Sequence, residues 1–282
     1  MKLKNSSAEI FIPDGASVEE ALRRTTHLGI GAHPDDLEIL AYHGILQSFH
    51  NQEKRFFGIT VTDGRGSPRD GLYAKYSDEE MRLVRRKEQK KAAVVGEYSG
   101  VAMLDYTSAF IKDPSNKDVV EDIRALLEAA RPSVVYTHSL TDKHDTHVAA
   151  VLRAIAAVRQ VPQEARPKVL YGCEVWRDLD WLADEDKRAL DVSRHENLGA
   201  SLVHLFDSQV CGGKRYDLAT LGRRRADATY YETHGTDVAT ALIFAMDMTP
   251  LARDPSLDVG EFAAGFIERF ARDVAARLKK LS

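Results

Sequence analysis

Apolar residues fall into two alternating rhythms along this chain. Short, nearly continuous apolar runs at 28–31, 56–61, 101–104, 133–138 and 169–173 read as buried strands. Between them the apolar positions recur at helical spacing, over 39–50, 79–95 and 119–130 and again from Val148 through Val151, Leu152 and Ile155. Pro132 ends the third of these helices just before the fourth strand. A short amphipathic piece over 18–24 is expected to pack outside the sheet. The alternation predicts an α/β fold: a Rossmann-like, doubly wound, mostly parallel sheet with right-handed crossovers and helices on both faces. Beyond residue 168 the rhythm weakens. A helix is expected over 194–210, a basic loop over 212–226 and a closing helix over 261–281. No repeat, low-complexity tract or linker interrupts the chain. The expectation is one domain over 1–282, with its core at about 26–210 and an irregular C-terminal part over 211–282.

The first strand runs directly into Ala32-His33-Pro34-Asp35-Asp36-Leu37-Glu38, and a helix follows. A strand-to-helix corner is where α/β sheets place their sites. Pro34 suits a first helical turn, because its missing N–H would have no partner there. A His three residues before an Asp offers two metal ligands from one corner. Catalytic zinc takes three protein ligands and keeps a position for water, so this corner would supply two of the three.

The fourth strand ends in a similar arrangement, Asp142-Lys143-His144-Asp145-Thr146-His147, at the start of a helix. In a doubly wound sheet the first and fourth strands are neighbours where strand order reverses, so the two corners would face each other. The formal net charge of -4 and pI near 6.2 give no reason to expect nucleic acid as a partner. Cys173 and Cys211 lack zinc-ligand spacing and are too few for a disulfide framework, so both read as reduced thiols. With no signal-like or membrane-length apolar segment, the expected setting is cytoplasmic, without a membrane partner.

Ala32-His33-Pro34-Asp35-Asp36-x-Glu38 together with Asp142-x-His144-x-x-His147 resembles the PIG-L/LmbE deacetylases, over roughly residues 26 to 210. These are zinc enzymes that remove acyl groups from N-acetylglucosamine-type amino sugars. The resemblance implies one zinc per chain, held by His33, Asp36 and His147, with Asp35 as general base. It implies His144 as the residue that stabilises the oxyanion or assists the leaving amine. Arg85, in Arg85-x-x-Glu88, resembles a family arginine. Its alternative reading is a surface ion pair with Glu88. Ser208-Gln209 resembles a late family pair that usually follows a His by two residues, but Phe206 or Asp207 stands there. Thr146 departs from an Asp common in the family, which leaves Asp142 or Asp145 to tune the histidines.

The residue types suggest a mechanism. Asp35 would sit about 100° round a helix from Asp36, away from the metal and free to take a proton from water. Asp142 would hydrogen-bond the His144 imidazole and raise its pKa. Arg65 in the glycine-rich loop and Asp105 at the end of the third strand would project towards the crevice and, with Arg85, bind substrate. The expected partner is a small amino-sugar substrate, with a homo-oligomer left open. Competing readings are a zinc amidase acting on a thiol–sugar conjugate or an acylated antibiotic intermediate, and a sugar-binding protein without turnover. A dinucleotide-dependent enzyme is disfavoured, because the glycines of 63–66 lack the required spacing.

Overall fold

The computed structural model describes residues 1–282. Its eight strands are β1 (Glu9–Phe11), β2 (His27–Gly31), β3 (Phe56–Thr62), β4 (Gly100–Tyr106), β5 (Val134–His138), β6 (Val169–Cys173), β7 (Lys187–Asp191) and β8 (Leu242–Asp247). They form one sheet in the order β1-β4-β3-β2-β5-β6-β8-β7. The pairs among β2 to β6 are parallel, and every residue of β2, β3 and β4 is buried. Burial on both sides is what helical crossovers impose on parallel strands, and it explains why these strands read as apolar runs. Val101 and Met103 of β4 face one apolar cluster while Ala102 and Leu104 face another, so a core lies on each face of the sheet.

The predicted α/β class holds, with corrections at the edges. β1, β7 and β8 pair antiparallel and were not anticipated. β1 is only three residues long, too short for any periodicity to register. The C-terminal part is more regular than expected: it adds β8 and a helix over Tyr216–Tyr230 to the expected closing helix, which runs over Val259–Leu281. The expected basic loop is the front of the Tyr216–Tyr230 helix. Its buried positions include Asp217, Thr220, Arg224 and Asp227, a helical period carried mostly by polar residues. A reading keyed to apolar recurrence is blind to such a helix. The helix expected over 39–50 breaks at Ala41 into Asp36–Leu40 and Tyr42–Ser48, and that expected over 194–210 divides into Glu196–His204 and Asp207–Val210. No helix is long and apolar enough to cross a membrane.

From β2 the chain builds outward through β3 and β4, and β5 and β6 then lie on the other side of β2. The crevice between the C-terminal ends of β2 and β5 is therefore the switch point at which α/β sheets bind ligands. Gly31 makes the corner there possible. A Cβ on Gly31 would lie 2.9 Å from the Cβ of Asp36 and 3.4 Å from the Leu37 backbone nitrogen. Gly31→Ala is expected to fold, losing about 1–3 kcal/mol to overpacking. By displacing Asp36 it should also weaken metal binding about tenfold or more, as loss of a ligand's support commonly does. Denaturant unfolding and metal titration check the two parts separately.

Candidate metal centre and catalytic cleft

The first corner is locked by its own backbone. The His33 N–H donates to Asp36 Oδ2 at 2.6 Å, and the Asp36 N–H donates to the His33 carbonyl at 3.2 Å. The helix starts at Asp36, with Asp35 as its N-cap, so Pro34 precedes the helix and does not occupy its first turn. Asp35 has φ 99°, a left-handed conformation that costs a non-glycine residue about 1–3 kcal/mol and clusters at functional sites. The two aspartates do part company, but through this strained turn and not by helical spacing. Beneath them Glu38 accepts hydrogen bonds from the Tyr98 hydroxyl at 2.7 Å and the Gln89 amide at 2.9 Å, anchoring the corner to the core.

At the second corner His144 caps the helix Asp145–Gln160, and His147 lies in its first turn. Asp142 Oδ1 accepts the His144 backbone N–H at 2.9 Å. Its Oδ2 lies 3.2 Å from His147 Nδ1 and accepts the Trp176 backbone N–H at 3.2 Å. The carboxylate thus orients the His147 ring, not the His144 ring as expected. A side chain that bonds the backbone two residues on is held against the chain, and His147 is the imidazole that the first helical turn brings to it. The His144 pKa is lowered, not raised, chiefly by burial and then by His33. His144 Nδ1 accepts the Thr146 N–H at 3.2 Å, which leaves Nε2 as the ring's donor.

The two corners meet. His33 Nδ1 lies 3.2 Å from His147 Nε2 and 3.3 Å from Asp36 Oδ2, and His147 Nε2 lies 3.5 Å from Asp36 Oδ1. Bonds of about 2.0–2.1 Å to a tetrahedral zinc would set its donors roughly 3.3 Å apart, so these three side chains fit such an ion. With Nδ1–H turned to Asp142, His147 presents its Nε2 lone pair to the cluster, the carboxylate–histidine support usual at metal sites. His147 also groups with His33 and His144, and in a second cluster with Asp36 and His138, which the sequence did not single out. The His138 Nε2 already accepts the Ala32 N–H at 2.9 Å, and its ring stacks on His147 at 4.0 Å. That occupied lone pair makes His138 a backing wall, and His33 the better third donor. Nothing beyond its place at the end of an apolar strand could have flagged it.

Charge is finely divided here. Burial pushes Asp36 up, but the facing His147 and His138 outweigh it and hold the carboxyl well below its usual range. Burial lowers His147 to about 4, against the pull of Asp36. Asp35 goes the other way: burial pushes it up to about 7, Arg85 opposes the rise and the neighbouring Asp36 adds to it. Arg85 Nη2 lies 3.2 Å from Asp35 Oδ2 and also donates to the Pro34 carbonyl. With 1% of its surface exposed, Arg85 makes no surface pair with Glu88. Glu88 instead accepts the Ser208 N–H and hydroxyl, both at 2.7 Å.

His33, Asp35, Asp36, Arg85, His144 and His147 all line one cleft of about 380 Å³, within the range of small-molecule sites. Gln209, Lys214, Tyr216 and Trp176 also line it, so the basic segment contributes directly to the site. Arg65 and Asp105 do not line it. Arg65 turns back onto Asp63 at 2.6 Å. Asp105 is held by Arg82 and, at 3.0 Å, by Arg86 behind the corner. Each satisfies a neighbouring charge, which sequence spacing could not reveal. Phe206 is buried in the core.

Residues 28–158 match the family model PIG-L, described as GlcNAc-PI de-N-acetylase. That stretch, just under half of the chain, resembles a PIG-L domain. No curated protein matches it. Among solved structures it is similar to the 4-carboxy-2-hydroxymuconate hydratase of Pseudomonas putida KT2440, at 18% identity and TM-score 0.60 over 79% of this chain and 96% of that one. The N,N'-diacetylchitobiose deacetylase of Pyrococcus horikoshii aligns at 18% identity and TM-score 0.59, over 78% of this chain and 83% of that one. A zinc-inhibited form of the teicoplanin deacetylase aligns at 15% identity and TM-score 0.56, over 79% and 97%. At these identities the likeness establishes the fold, and proteins of this fold carry out more than one reaction.

Proposed function

We propose that this protein is a metal-dependent amide hydrolase that removes the acyl group from the nitrogen of an amino sugar of the N-acetylglucosamine type. The observation that carries this reading is the pairing of three convergent donors with a buried carboxyl poised near neutral pH, in one cleft. His33, Asp36 and His147 would hold one divalent cation, with zinc the best match to the donor set. Bound there, the cation would act as a Lewis acid on the amide carbonyl and lower the pKa of the attacking water.

The chain's own residues do the rest. Asp35 takes the water's proton, and a pKa near 7 is where a general base serves best. Arg85 keeps that carboxyl ionisable inside the protein. The Nε2–H of His144 donates to the carbonyl oxygen as negative charge develops there. The proton held by Asp35 passes to the nitrogen as the C–N bond breaks, leaving a free amine and a carboxylate. The PIG-L match and the deacetylases among the similar structures support this class of reaction.

The test is a panel of N-acylated glucosamines, free and as conjugates, assayed for released amine with zinc, manganese or cobalt supplied. The expected result is metal-dependent release that a chelator abolishes. Release only from a thiol–sugar conjugate or an acylated glycopeptide would redirect the substrate class. Ligand binding without any release would favour the sugar-binding alternative.

A further inference from the structure

A second chamber of about 130 Å³ adjoins the cleft, and Ile39, Val175, Trp176 and Tyr216 line both. Ala219 and Ile243 add to its mostly apolar wall. Its charged members each hold backbone groups elsewhere, although Arg224 Nε has no partner. Glu174 accepts the Phe244 N–H at 3.1 Å and the Leu179 N–H at 3.0 Å. Arg223 donates to the Val175 carbonyl, and Arg224 to the Glu38 carbonyl at 2.8 Å while lying over the Tyr42 ring.

Strand order gives the cleft two unlike sides. The metal donors follow β2 and β5 at its centre. On one side lie Gly64, Gly66, Ser67 and Pro68, which follow β3, and Ser108, which follows β4. On the other lie Val175 and Trp176, which follow β6, with the apolar chamber beside them. An amide held at the centre must send its amine half to one side and its acyl half to the other. A hydroxyl-rich sugar suits the loops after β3 and β4. Resting on the hydrolase reading above, we propose that the chamber after β6 is an acyl-binding subsite, and that the substrate's N-acyl group is an apolar chain of about four to six carbons, not acetyl. The chamber is close in size to the ~150 Å³ apolar cavity that holds benzene, a six-carbon guest.

The experiment compares kcat/KM for N-acetyl-, N-butanoyl- and N-hexanoylglucosamine with that for the hexyl glycoside of N-acetylglucosamine. Each buried methylene gains roughly fourfold, so the hexanoyl-to-acetyl ratio should reach at least about tenfold and fall towards one in Ala219→Phe, which fills the chamber. A ratio at or below one in the native chain overturns the proposal. So does a gain from the hexyl glycoside that Ala219→Phe cancels, because the chamber would then hold the aglycone. A second readout needs no turnover: hexanoate, but not acetate, should perturb Trp176 fluorescence, and Trp176→Phe, which keeps Trp181, should lose the response. If no N-acylglucosamine is hydrolysed, the amino-sugar substrate reading fails and the titration alone decides the chamber. A shift with hexanoate over acetate then supports the subsite, and no shift overturns it.

Discussion

Asp36→Ala is expected to lose metal and activity together, whereas Asp35→Ala keeps its metal and loses only turnover. Asp36 faces three imidazoles, His33 and His138 at 3.3 Å and His147 at 3.5 Å, and its carboxyl is held ionised by them. Without it two histidine nitrogens remain, and a site with two protein donors holds zinc poorly. Asp35 is turned away by its left-handed backbone and paired to Arg85, so its loss leaves the three donors in place. Turnover should then fall by about 10²–10⁴-fold, the contribution of a positioned general base. KM should change little, because the base acts chiefly in the transition state. Metal analysis and steady-state kinetics on the two purified variants separate the roles. Metal loss from Asp35→Ala with retention in Asp36→Ala would reverse them.

The parallel centre of the sheet was legible because its strands are buried on both faces and show as apolar runs. The crevice followed from strand order alone, and the corners on either side of it brought His33, Asp35, Asp36, His144 and His147 into one cleft. Side-chain direction was much less legible. Asp142 and Asp105 were placed correctly on their elements but given the wrong partners, since a carboxylate goes to whichever donor the backbone brings within 3 Å or so. Asp142 found His147, and Asp105 found two arginines of the helix Asp78–Val95. The chamber wall was least legible of all. It joins Ile39, Trp176 and Tyr216 from three distant segments, and no local pattern links them.

Arg85→Met is expected to slow the enzyme most at low pH and to move the acid limb of its pH profile upwards. Arg85 is the largest influence holding the Asp35 pKa down against burial. Removing the guanidinium leaves Asp35 buried without its partner, so the carboxyl protonates more readily and a higher pH is needed to free the base. The limb in kcat/KM should shift by about one pH unit, with roughly a tenfold loss near neutrality and recovery in alkaline buffer. Arg85→Lys, which keeps the charge, should shift it less. Stability should follow the same group. A carboxyl raised from 3.8 to about 7 in the folded chain contributes stability below 3.8, and that contribution disappears as pH rises through about 7. In Arg85→Met the decline should continue to higher pH, because the folded-state pKa lies higher still. Breaking a buried ion pair costs about 3–5 kcal/mol where the remaining charge is ionised. The variant should therefore be destabilised more at pH 8 than at pH 5, which denaturant unfolding at the two pH values measures directly. An unshifted limb, with metal content equal to the native chain's, would mean that Asp35 is not the titrating base.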